Sequence, residues 1–147
     1  MPLVKVLVVD DEPEIRDLCR FNLEFAGHEV LLAGTGREAL EVLDKERPDF
    51  VFLDLMMPEV DGWGVLEAIR TNEETADLPV VLLTARASEE DQIRGWEEGI
   101  FDYIVKPFNP LNLAEWVEQA YDPATEGMAE HRRRQALEQL RFLQNLR

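Results

Sequence analysis

At 147 residues, 46% hydrophobic and 31% charged, the chain has the size of one globular domain with an appendage, and enough apolar residues to bury a core. One cysteine, Cys19, excludes an intramolecular disulfide and fits a reducing cytoplasm; the first apolar stretch is short and lacks a basic leader, and nothing reaches the length of a membrane span. The net charge of −16 is uneven, with ten basic and 27 acidic residues in 1–121 against five and four in 122–147, and so acidic a body repels nucleic acid.

In chain order, short apolar runs alternate with amphipathic stretches. Leu3 to Val9 predicts a strand over 3–9, ending in Asp10-Asp11. Pro13 then opens a helix over 13–26, at a first-turn position where its missing N–H is no loss, and Gly27 stops it. A strand over 28–33 follows, and Thr35-Gly36-Arg37-Glu38 resembles a capping box for a helix over 36–46. The run Phe50-Val51-Phe52-Leu53 predicts a strand over 49–54, closed by Asp54, before a helix over 63–71. Val80 to Leu83 predicts a strand over 79–84 ending in Thr84; Ser88-Glu89-Glu90-Asp91 caps a helix over 88–98, which Gly99 stops. A last strand over 100–105 runs into Lys106-Pro107, and a helix over 109–121 follows.

Continuous rather than alternating runs are what a parallel sheet covered on both faces requires. Five such βα units give an α/β fold with a doubly wound five-stranded parallel sheet, whose ligands bind at the carboxyl ends of the strands. This domain spans 1–121, and 122–147 is a C-terminal helical extension. Asp122-Pro123 breaks the chain, and residues 123–146 read as an amphipathic helix. Met128, Ala129, Ala136, Leu140, Leu143 and Leu146 share its broad face, with Leu137 and Phe142 at the margins. The Arg132-Arg133-Arg134 run reads as a solvated helix face, too short to confer direct nucleic-acid binding.

The residues that carry chemistry all fall at strand ends. Neighbouring parallel strands would gather Asp10, Asp11 and Asp54 into one acidic pocket, where like charges need a cation between them. Mg²⁺ takes one or two carboxylates, waters and phosphoryl oxygens. Asp11 and Asp54 can supply the carboxylates, with Asp10 reaching the metal directly or through water and the backbone carbonyl of Met56 as a neutral ligand. Lys106 and Thr84 remain to bind phosphoryl oxygens, and a carboxylate is an adequate nucleophile for a phosphoryl group. The bland readings differ: Asp10 and Asp11 as helix caps, Thr84 as a turn residue, Tyr103 as a plain aromatic, Cys19 as core. His28 and His131 lack metal-ligand spacing, and Gly34-Thr35-Gly36 lacks the dinucleotide fingerprint.

The segments Val8-Val9-Asp10-Asp11-Glu12-Pro13, Asp54-Leu55-Met56-Met57-Pro58 with Asp61-Gly62, Leu83-Thr84-Ala85 and Tyr103-Ile104-Val105-Lys106-Pro107-Phe108 together resemble the receiver domain of two-component response regulators, a chemotaxis-regulator-like family with a flavodoxin-like fold. The resemblance covers residues 3 to 121 and implies strand order 2-1-3-4-5. It implies that Asp54 is phosphorylated by a histidine kinase or phosphotransfer protein, with Mg²⁺ held by Asp11, Asp54 and the Met56 carbonyl and Asp10 assisting. Thr84 and Tyr103 become a switch pair that alters the surface of the fourth helix, fifth strand and fifth helix for a downstream protein partner. Pro107 follows a cis bond. Such a chain is a signalling phosphoacceptor with self-catalysed phosphotransfer and dephosphorylation, not an enzyme acting on external substrates.

One departure is Gly99-Ile100-Phe101-Asp102, where the family often has Gly-Ala-Asp-Asp. Trp96, Phe101 and Trp116 fall at positions the family usually exposes, which points to a covered or partner-binding patch. The residues after the fifth helix are too few for an effector domain, so either output goes through protein contact or the chain is a receiver excised from a longer protein. The tail is expected to pack either on that patch or against a second copy of itself in a homodimer, with the second favoured because the Asp122-Pro123 break lets the helix project away. The alternative from another class is a phosphatase or phosphotransferase of the haloacid-dehalogenase type. Its second acid, two residues after the nucleophile, is replaced here by Met56.

Overall fold

The computed structural model describes residues 3–85 and 88–146. Five strands, β1 (Lys5–Val9), β2 (Glu29–Ala33), β3 (Phe50–Asp54), β4 (Val80–Thr84) and β5 (Asp102–Val105), form one parallel sheet of order 2-1-3-4-5. They alternate with helices α1 (Pro13–Phe25), α2 (Gly36–Glu46), α3 (Gly62–Thr71), α4 (Glu89–Glu97) and α5 (Leu113–Tyr121), and a sixth helix, α6 (Met128–Asn145), follows. Side chains two apart along a strand share a face, which divides the core in two. Val6, Val8, Phe50, Phe52, Val81 and Leu83 pack with Cys19 and Leu23 of α1 and Leu113 and Val117 of α5. Leu7, Val9, Val51, Leu53, Val80 and Leu82 pack on the other side with α2, α3, Trp96 of α4 and, beyond it, Leu137 and Leu140 of α6.

The expected punctuation is visible. Gly27 and Gly99 hold φ of 95° and 77°, the left-handed region that ends α1 and α4. Thr35 accepts the Glu38 amide at 3.1 Å, but the reciprocal arm, Glu38 Oε2, takes the amide of Gly34 at 3.0 Å rather than that of Thr35. Several starts are later than expected, β1 at Lys5 instead of 3 among them, and two have a clear local cause. Asn109 caps a tight 3₁₀ turn over Pro110–Asn112, which delays α5 to Leu113. Gly99 leaves Ile100 to plug the core, and β5 begins only at Asp102.

The tail departs further from expectation. Asp122 and Pro123 start only a 3₁₀ turn, Pro123–Thr125, tied down by Thr125 Oγ1 donating to the Gln119 and Asp122 carbonyls. Gly127, with φ of 84°, then redirects the chain, so the helix begins at Met128 instead of 123. It does not project away. Ala129 and Arg133 border Gly99 and Ile100, whereas Leu140 and Leu143 border Gln92, so α6 runs back antiparallel to α4. The buried residues are Leu137 and Leu140, flanked by half-buried Arg132, Arg133 and Ala136. Leu137, expected at the margin, is central, and Met128, Phe142 and Leu146 are exposed. Among the described residues no helix is long and apolar enough to cross a membrane.

Candidate functional site

Strand register assembles the site. Val9 pairs with Leu53, so Asp10 and Asp54, each one step on, lie side by side at the carboxyl edge. Asp54 pairs with Leu83, and Thr84 pairs with Val105, which sets Thr84 and Lys106 one step beyond. Lys106 Nζ lies 2.7 Å from Asp10 Oδ2, 3.5 Å from Asp54 Oδ2 and 3.6 Å from Glu12 Oε1. The Lys106 amide donates to the Thr84 carbonyl at 2.7 Å, and the Lys106–Pro107 peptide bond is cis. Asp10, Asp54 and Thr84 are buried; Asp11 and Met56 are exposed.

Each carboxylate is oriented locally. Asp10 Oδ1 accepts the Glu12 amide at 2.9 Å and Asp54 Oδ1 accepts the Met56 amide at 3.0 Å. Asp10 Oδ2 is sealed from water, and its partner is the lysine ammonium. Burial pushes the Asp54 carboxyl up to about 6; the Asp10 charge and a side-chain hydrogen bond with Asp11 add to this, while the Met56 amide and Lys106 oppose it. For Lys106, burial works against the charged form. The hydrogen bond with Asp10 and the charges of Asp54, Asp10 and Glu12 outweigh it and raise the ammonium's pKa.

The donor set fits a hard divalent cation. Oxygens from Asp10, Asp11 and Glu12 lie within 4.8 Å of one another, and clustered carboxylates are the oxygen donors such a cation takes. Glu12 joins this cluster although the sequence reading passed over it; a third consecutive acid was its only signal. Arg16 was also missed. Its Nη1 donates to the Asp10 carbonyl at 2.7 Å and so braces the strand end. Gly62 permits the close approach of α3, since a Cβ there would lie 2.3 Å from the Asp54 carbonyl oxygen.

Tyr103 stands apart from the acids. It pairs with Leu82, two residues before Thr84, so alternation places both side chains on the α4 side of the sheet. Its hydroxyl donates to Gln92 Oε1 of α4, and its ring meets Trp96 edge-on at 6.0 Å. Trp96, Phe101 and Trp116 are not part of the acid site. Trp96 is only 3% exposed, and Phe101 and Trp116 lie half-buried beneath the guanidinium of Arg132.

A family model described as the response regulator receiver domain matches residues 6–118. Similar curated proteins include the DNA-binding dual master transcriptional regulator RpaA of Synechocystis, 43% identical over 71% of this chain and 44% of that protein. The probable transcriptional regulator ycf27 of Pyropia yezoensis is 47% identical over 74% of this chain and 44% of its own length. The chain thus spans less than half the length of these regulators. A 14.6 kDa protein of Leptolyngbya boryana is 42% identical over 78% of the chain and is itself 87% covered. Among solved structures, the chemotaxis protein CheY4 of Vibrio cholerae superposes with a TM-score of 0.75 at 36% identity, over 80% of this chain and 98% of that one. With its acids, threonine and lysine at the strand ends of a 2-1-3-4-5 sheet, the chain belongs to the response regulator receiver domain family.

Proposed function

We propose that this receiver is a phosphorylation-driven signalling switch in which Asp54 takes a phosphoryl group from the histidine of a kinase or phosphotransfer protein. The observation that carries this reading is a buried carboxylate beside a cation, Asp54 Oδ2 at 3.5 Å from Lys106 Nζ, at the mouth of an acid cluster. An Asp54 oxygen attacks phosphorus, the phosphorus–nitrogen bond breaks, and its electron pair stays on the imidazole nitrogen as the acyl phosphate forms. Lys106, released from Asp10 and Asp54, places its positive charge on the transferred oxygens, and Thr84 offers a hydroxyl donor. Asp11, Asp54 and the Met56 carbonyl, with Asp10 and Glu12 at hand, would hold Mg²⁺. When bound, that ion neutralises charge on the phosphoryl oxygens. Water later hydrolyses the acyl phosphate.

Met56 stands where a phosphatase of related chemistry has its second acid, and a thioether cannot carry a catalytic proton, so turnover of external substrates is not the reading. Output lies with the α4–β5–α5 surface and a downstream protein. Thr84, drawn to the phosphoryl oxygens, leaves room into which Tyr103 turns. A homodimer through the tail with α6 docked would rest on its exposed Met128, Phe142, Leu143 and Leu146. The free buried thiol of Cys19 accords with a cytoplasmic setting.

The test is incubation with Mg²⁺ and acetyl phosphate, followed by intact-mass measurement. Wild type should gain roughly 80 Da, the mass of one phosphoryl group on an acyl phosphate, and Asp54→Asn should not. A full adduct on Asp54→Asn would overturn the assignment.

A further inference from the structure

Helix α6 occupies the surface on which the proposed switch would act, and the contacts that hold it there lead to the switch residue. Arg132 enters a nook at the start of β5. Its Nη1 donates to the Phe101 carbonyl at 3.1 Å and lies 3.6 Å from Asp102 Oδ2, and its Nη2 donates to Gln119 Oε1 at 3.0 Å. The guanidinium stands 5.1 Å from the ring centre of Phe101 and 5.6 Å from that of Trp116, within cation–π range. Asp102 uses its second oxygen, Oδ1, to accept the Tyr103 amide at 2.8 Å. One carboxylate therefore ties the tail to the backbone of Tyr103.

Farther along the tail, Ala136 and Leu140 share a cleft with Tyr103. This cleft of about 440 Å³ is lined by Gln92, Trp96, Tyr103, Ala136 and Leu140, so the tyrosine forms one wall of the space beside the tail. A turn of that ring into the sheet would break the hydroxyl bond to Gln92, remove the edge contact with Trp96 and deepen the cleft beneath Leu140.

We propose that α6 is a releasable cover for the α4–β5–α5 face: docked while Tyr103 points at Gln92, and loosened when phosphorylation of Asp54 turns Tyr103 inward, so that Trp96, Phe101 and Trp116 become available to a protein partner. The proposal rests on the phosphoacceptor reading above. It differs from a merely structural extension, because the cover and the switch residue share one cleft and one carboxylate. Arg141 to Glu97, at 3.0 Å, is an exposed pair and contributes little.

The test is residue-resolved amide hydrogen exchange on the full chain, with and without Mg²⁺ and beryllofluoride, for wild type, Arg132→Ala and Gln92→Ala. In wild type, beryllofluoride should speed exchange in α6 at least fivefold while β1 and β3 amides keep their protection. Arg132→Ala should speed α6 exchange about tenfold without beryllofluoride, and Gln92→Ala should speed it to a lesser extent. Shifted resonances at Asp54 and Thr84 with α6 exchange unchanged would overturn the coupling. Protected α6 amides in Arg132→Ala would overturn the latch. Failure of beryllofluoride to shift Asp54 or Thr84 would overturn the phosphoacceptor reading and the coupling with it, while the Arg132→Ala comparison would still decide whether the cover is held as described.

Discussion

Gly62 and Gly64 sit two residues apart in the first turn of α3, and replacing each with alanine should have unequal effects. At Gly62 an added Cβ would lie 2.3 Å from the Asp54 carbonyl oxygen and 2.6 Å from Leu55 Cα, both backbone atoms that cannot rotate aside. Relief requires the start of α3 to move away from β3 by roughly 1 Å, which strains the 3.2 Å bond from the Gly62 amide to the Leu55 carbonyl. Overpacking of this kind costs about 1–3 kcal/mol. At Gly64 the nearest atoms are Val60 Cγ1 at 3.3 Å and Asp61 Oδ1 at 3.7 Å, both side-chain atoms. Alanine there needs Val60 to give by a few tenths of an ångström, which offsets a gain of up to about 1 kcal/mol of helix propensity and leaves a small net effect. Urea unfolding should therefore separate the two variants by about 1–3 kcal/mol. Because the strained atoms belong to Asp54 itself, Gly62→Ala should also slow phosphorylation by acetyl phosphate, by up to about 100-fold for a 1 Å misplacement. Gly64→Ala should leave that rate within twofold, as expected for a change of about 0.4 kcal/mol or less. Equal stabilities for the two variants, or an unchanged rate in Gly62→Ala, would refute the view that this glycine sets the position of the proposed acceptor, Asp54.

Three further outcomes are expected. Arg70 donates from Nε to the Glu98 carbonyl, from Nη1 to those of Ala76 and Leu78, and from Nη2 to that of Gly99, all between 2.8 and 3.1 Å; Arg70→Met should strand these acceptors and lower the urea-unfolding free energy by about 2–4 kcal/mol. His28 is buried, accepts the Val4 amide at 3.4 Å and has its pKa lowered, first by burial, with the Glu118 charge opposing. The unfolded chain therefore binds the extra proton as pH drops below 6.5, and wild type should lose stability there relative to His28→Asn; parallel pH curves would contradict this. Burial pushes the Cys19 thiol up to about 12, so native protein at pH 8 should react with iodoacetamide only as fast as it opens. A rate like that of a free thiol would place Cys19 at the surface.

The acid site could be read from the chain because its residues close continuous apolar runs, and a parallel register allows few ways to align such runs. Once Leu53 lies beside Val9, Asp54 must lie beside Asp10. Glu12 and Arg16 escaped because their roles depend on how the β1–α1 turn folds. The bend that lets Glu12 face Lys106 and Arg16 reach back to the Asp10 carbonyl leaves no periodic trace in the sequence. The strand and helix starts that slipped, at Asp102 and Leu113, did so where a glycine or an asparagine side chain spends a residue or more on local turn geometry before the regular ladder begins.

The tail shows where pattern reading reaches its limit. A run of three arginines on an amphipathic helix reads as a solvated face, and by charge alone nothing separates Arg132 from Arg134. In the fold the first is half-buried against the Phe101 carbonyl, Asp102 and two aromatic rings, and the other is exposed. What distinguishes them is the direction taken after Gly127, and one residue with φ of 84° cannot be foreseen from hydrophobic spacing. Once that direction is known, the unusual sequence at the start of β5 has a physical account. Phe101, in place of the aspartate the family pattern often carries, offers Arg132 both a ring face and a carbonyl. Trp96, at a position expected to be exposed, is shielded by a leucine pair from the tail. The aromatic residues and the tail are complementary halves of one contact, and a change in either should be felt by the other.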